Sequence, residues 1–120
     1  MLEIVIYEED QLTRSLMQEW LREAGYGVRV GTTCNALRDE PGDLVVVSVN
    51  MPKQRGAQCI RAIRAAHPGK PMIAISGQFR PGLEAQGAAA HALGVQQAVA
   101  KPLMRDDLLG AVRAVVGSST

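Results

Sequence analysis

At 120 residues the chain is long enough for one domain with a real core and too short for two ordinary ones. A formal charge of +1, from 13 basic and 12 acidic residues interspersed along the chain, supplies no overall field for nucleic acid or an anionic membrane, so neither is expected as a partner. The apolar runs stop well short of a membrane span, and the opening MLEIVIYEED has no basic region ahead of its hydrophobic part. Cys34 and Cys59 stand far apart without partners at zinc-ligand spacing, so the expectation is a cytoplasmic protein with free thiols.

Strand-like and helix-like patterns alternate along the chain. EIVIY (3–7) is a compact β-branched run, and the helical pattern after it repeats Leu12, Leu16, Trp20, Leu21 and Ala24 as its inward face. Asp10 is placed to cap that helix and Gly25 to end it. GVRV (27–30) reads as a weak second strand and residues 32–40 as a short helix capped by Thr32 or Thr33; the break PGD then leads into a third strand from Leu44. AQCIRAIRAAH (57–67) turns Ile60 and Ile63 inward and Arg61 and Arg64 outward, and HPGKP stops it. MIAIS (72–76) is a fourth strand, 83–93 an alanine-rich helix closed by Gly94, and QAVA (97–100) a short fifth strand. The last helix, 105–116, carries Leu108, Leu109, Val112, Val115 and Val116 along one stripe, and the GSST tail has no pattern of its own.

This alternation calls for a doubly wound five-stranded parallel sheet with helices on both faces. In such a sheet the carboxyl ends of the strands open on one edge, where ligand sites form. The residues collected there are Glu8, Glu9 and Asp10 after strand one, Ser48 and Asn50 at strand three, Ser76 at strand four and Lys101 at strand five. Carboxylates, hydroxyls and one ammonium suit a hard cation beside a phosphoryl group.

Taken in order, IVIYEED, REAGYGV, GDLVVVSVNMP followed by Gly56, PMIAIS and LGVQQAVAKP resemble the receiver domain of two-component response regulators, from about Ile4 to Val116. The resemblance implies a flavodoxin-like fold with strand order 2-1-3-4-5, a single domain over 1–117 and a disordered tail over 118–120. It also assigns roles. Glu8 and Glu9 match the acidic pair that holds magnesium, Ser76 the hydroxyl that senses the phosphoryl group, and Lys101 the lysine that pairs with it. Ser48 matches the aspartate that receives the phosphoryl group, and Ala98 the aromatic switch position.

An aspartate is ionised at neutral pH and attacks unaided, whereas a serine hydroxyl needs an adjacent general base. None is evident in the sequence. The substitution also removes a magnesium ligand, and Glu8 and Glu9 in place of aspartates carry the remaining carboxylates outward by a methylene. The loop after Ser76, with Phe79 and Arg80, is longer than is usual in the family. These departures describe a degenerate receiver with no catalytic residue and no enzymatic activity. No cofactor is expected; magnesium at Glu8 and Glu9 is the one candidate, and a doubtful one.

The expected function is signalling through protein contact, by a surface such as the fourth and fifth helices and the fifth strand. Partners would be a sensor histidine kinase, an output domain or a second copy in a homodimer. The alternatives are a phosphorylatable regulator with an unusual acceptor and, less favoured, a flavin-binding protein, whose phosphate the acids of YEEDQLTRS would repel. The plainer readings make His67 and His91 solvated surface residues, Trp20 a core residue, and Lys53, Arg55, Arg61 and Arg64 a solvated basic face.

Overall fold

The computed structural model of the chain describes residues 2–8, 10–31, 42–48, 60–65, 67, 69–76, 91, 94–100 and 103–116. Five strands, β1 (Glu3–Tyr7), β2 (Gly27–Val30), β3 (Leu44–Ser48), β4 (Met72–Ser76) and β5 (Gln97–Ala100), form one parallel sheet in the order β2-β1-β3-β4-β5. The register aligns Tyr7 with Val47, Ser48 with Ile75 and Ser76 with Ala100. The bounds of β1, β2, β4 and β5 are those expected from the sequence.

Their lack of polar alternation follows from burial on both faces. Ile4, Ile6, Leu44, Val46, Ile73, Ile75 and Val99 point to one side of the sheet, into a core shared with Met17, Leu21, Leu108 and Val112. Val5, Tyr7, Val45, Val47, Met72, Ala74 and Ala98 point to the other, onto Ile60 and Ile63. This strict period of two is the pleat itself.

Two helices cover the first face: α1 (Gln11–Glu23) and α2 (Arg105–Val116). The Asp10 carboxylate accepts from the Thr13 backbone N–H at 2.9 Å and from its hydroxyl at 2.6 Å, satisfying the open end of α1. Gly25, at φ +95°, turns the chain out of the helix in the left-handed conformation. Residues 60–65 are helical and lie on the second face, with Ile60 and Ile63 buried as expected. The helices expected over 32–40 and 83–93 fall outside the described residues, except that His91 is helical and exposed. Residues 117–120 also fall outside them.

Two expectations need correction. The buried line of α1 is Met17 and Leu21; Leu12 is 72% exposed and Leu16 37%. At 3.6 residues per turn Leu12 lies roughly 140° around the helix from Met17, so the two cannot share the face that meets the sheet. Trp20 and Ala24 do pack against the core, from its margin. His67, read as a surface residue, is fully buried. It follows Ile60 and Ile63 at helical spacing, so the same rotation that buries them carries its ring inward, where it bonds to Tyr7 Oη at 2.7 Å. Arg64 is exposed, as expected, and its Nη2 donates to the Gly94 carbonyl at 2.6 Å, which ties its helix to the turn before β5.

Candidate functional site

The carboxyl edge of the sheet brings together part of the expected constellation. Because Tyr7 aligns with Val47, Glu8 follows β1 at the level of Ser48 on the neighbouring strand. Ser76 ends β4, one step beyond the residue paired with Ser48. Adjacent strands lie about 4.8 Å apart, so the main chains of Glu8, Ser48 and Ser76 stand in a row across β1, β3 and β4, with the Ser76 side chain alternating to the other face of the sheet from that of Ser48. Glu8 is only 3% exposed and Ser76 2%. The Ser48 Oγ is buried and has no hydrogen-bond partner among the described residues. Arg14, from the first turns of α1, reaches back to donate from Nη1 to the Glu8 main-chain carbonyl at 3.2 Å, which fixes the exit of β1.

Asp10 leaves the constellation, since its carboxylate is the α1 cap. Glu9, Asn50 and Lys101 lie outside the described residues, as do Lys53, Arg55, Phe79, Arg80, Cys34 and Cys59. Ala98 is buried in β5 beside Ala74 and presents a methyl group to the second core face.

A second feature flanks β5, an edge strand of the sheet. A groove of about 300 Å³ runs between β5 and α2, with Gln97, Ala98 and Val99 on one wall and Gly110 and Ala114 on the other. Asp106 and Asp107 stand at one end of it, in the first turn of α2, where the helix dipole favours negative charge.

A model of the response regulator receiver domain matches residues 4–113, and the chain belongs to that family. It is 29% identical to the transcriptional regulatory protein CpxR of Klebsiella pneumoniae over 119 residues, 97% of this chain and 50% of the regulator. It is 30% identical to the DNA-binding transcriptional regulator NtrC of Rhizobium meliloti over 79 residues, 62% of this chain and 16% of that protein. The chain thus spans half or less of the length of these relatives. Among solved structures, the chemotaxis response regulator CheY4 of Vibrio cholerae superposes with a TM-score of 0.76 at 20% identity, over 97% of this chain and 99% of that one. The receiver domain of the sensor histidine kinase PA1611 of Pseudomonas aeruginosa, with magnesium coordinated in its active-site cleft, gives 0.75 at 24% identity, over 98% of both chains. Identities this low establish the shared fold, which is flavodoxin-like with strand order 2-1-3-4-5.

The described donor set does not fit a magnesium ion well. Glu8 supplies one carboxylate, and Ser48, level with it on β3, supplies a neutral hydroxyl. Magnesium demands near-ideal octahedral oxygen geometry and dehydrates reluctantly, so one carboxylate beside a neutral hydroxyl is a weak set for it.

Proposed function

We propose that this receiver domain is degenerate: it keeps the receiver fold, takes no phosphoryl group at position 48, and signals through protein contact. The observation that carries the reading is Ser48 itself, a buried hydroxyl with no hydrogen-bond partner among the described residues at the end of β3. A hydroxyl becomes a nucleophile when a base removes its proton; Ser48 is paired with Ile75 on β4 and lies level with Glu8 after β1, and its hydroxyl makes no hydrogen bond to that carboxylate or to any other described group. Even a modified site lacks the ring whose swing would report it, because Ala98 occupies the switch position. The protein is then a cytoplasmic interaction module without enzymatic activity or a resident cofactor. Its contact surface is the β5 edge with the groove beside α2, and its partner a sensor histidine kinase, an output domain or a second copy of the chain.

The test is titration with beryllium trifluoride and magnesium, which mimic an acyl phosphate by bonding to the acceptor carboxylate. With Ser48 in place, backbone resonances of residues 48, 76 and 98 should stay fixed at millimolar magnesium. Saturable shifts centred on Ser48 and Ser76 would overturn the proposal and favour a phosphorylatable regulator with an unusual acceptor.

A further inference from the structure

We propose that His67 and Tyr7 form a proton-sensitive clasp that ties the end of β1 to the segment before β3 and to the turn after helical residues 60–65. The Gly42 backbone N–H donates to His67 Nδ1 at 3.3 Å, so that nitrogen carries a lone pair and the ring proton sits on Nε2. From there it is donated to Tyr7 Oη at 2.7 Å. The imidazole is therefore held neutral, in one tautomer, edge-on to the Tyr7 ring with centroids 5.9 Å apart. Tyr7 and His67 are 2% and 0% exposed.

Neither neighbour has room to retreat. A Cβ at Gly42 would run into Val5 Cγ2 at 2.6 Å, so the backbone there is pressed against β1. A Cβ at Gly31, the residue after β2, would overlap the Tyr7 ring, so the ring is pressed against the backbone there. The His67 main chain is also fixed: its N–H donates to the Ile63 carbonyl at 3.0 Å, and its own carbonyl accepts from Lys70 at 3.2 Å.

Protonation at Nδ1 replaces the lone pair with a second N–H aimed at the Gly42 N–H. Two donors then oppose each other in a buried space, and the Gly42 bond must break. The described ionisable groups on the surrounding elements are Tyr7 and Glu8 at the end of β1, Asp43 beside Gly42, Arg64 one turn before His67 and Lys70 after it. Of these, Tyr7 bonds the ring; the Asp43 carboxylate accepts from the Glu3 amide at 2.8 Å, and the Arg64 guanidinium is taken by Gly94. The proton comes from solvent. The unfolded chain accepts it freely near the ordinary histidine value of about 6.5, whereas the closed clasp does not, so the unfolded state binds more protons in acid. Stability is full at neutral and alkaline pH and is lost as pH falls through the histidine range. Glu8 directly follows Tyr7, so an open clasp also loosens the strand end that carries the candidate site.

His91, exposed on its helix, is the internal control. A ring-nitrogen NMR titration follows both histidines in one sample. His67 should keep the neutral Nε2–H pattern until the Gly42 amide and Tyr7 ring signals move with it. Urea unfolding at about pH 7.5 and pH 5.5 should raise the unfolded-to-folded ratio roughly tenfold more in the parent than in His67→Gln, whose amide donates and accepts without titrating. If that variant does not fold, the parent titration alone decides. His67 taking up a proton while Gly42 and Tyr7 stay unmoved, or parent stability equal at the two pH values, would overturn the proposal.

Discussion

Ser48 and His67 mark the two ends of what a residue can disclose before its fold is known. Ser48 interrupts the run LVVV at a strand end, and that position alone marks it as site-facing once the sheet is inferred. His67 sits beside a proline and a glycine in a segment that reads as a turn, and its burial depends on a partner hydroxyl 60 residues away. A signal did exist, because a tyrosine at an inward strand position needs somewhere to place its hydroxyl. Tyr7→Phe, which leaves the His67 Nε2–H without that oxygen, should cost about 1 to 3 kcal/mol in chemical denaturation. Ser48→Asp asks how much of the family site survives. A second carboxylate level with buried Glu8 adds like charge, so in chelator the variant should be less stable than the parent by about 1 to 2 kcal/mol. Magnesium should recover part of that loss. A variant more stable than the parent in chelator contradicts the electrostatic reading of the edge.

Among the elements, the strands were legible nearly residue for residue, because a run buried on both faces has little polar interruption to blur its ends. The α1 stripe was legible in period and misjudged in phase. Leu12 and Leu16 are as apolar as Leu21, and periodicity cannot say which of several overlapping lines meets the sheet. The structure assigns that role to Met17 and Leu21, both fully buried. Met17→Ala should therefore cost about 2 to 5 kcal/mol, while Leu12→Ala, at a position 72% exposed, should fall within about 0.5 kcal/mol of the parent. Equal losses at the two positions would return the stripe to its sequence phase. In α2, a Cβ at Gly110 meets nothing within 4 Å. Gly110→Ala should then stabilise the protein by about 0.5 to 1 kcal/mol through helix propensity, measured as a rise in the urea midpoint.

For the whole molecule, sheet order and topology follow from the alternation of elements together with the family resemblance, and the structure bears both out. The candidate site was legible at Glu8, Ser48 and Ser76, whose places follow from strand register. The Asp10 cap was also legible, as an alternative use for a carboxylate beside a helix start. The groove beside α2 was not, since a concavity between an edge strand and a helix depends on how closely the two pack, and Gly110 and Ala114 show that only once their neighbours are known. A degenerate receiver should gain no stability from its family's ion: the thermal midpoint should be the same in magnesium as in sodium at equal ionic strength, because a ligand stabilises only what it binds. The central claim, that position 48 accepts no phosphoryl group, is tested most directly by incubating the protein with a small-molecule phosphodonor and magnesium and measuring its intact mass, with Ser48→Asp alongside. The account predicts an unchanged parent mass whether or not the variant is modified; a parent that gains one phosphoryl group, mapped to Ser48 by fragmentation, contradicts it.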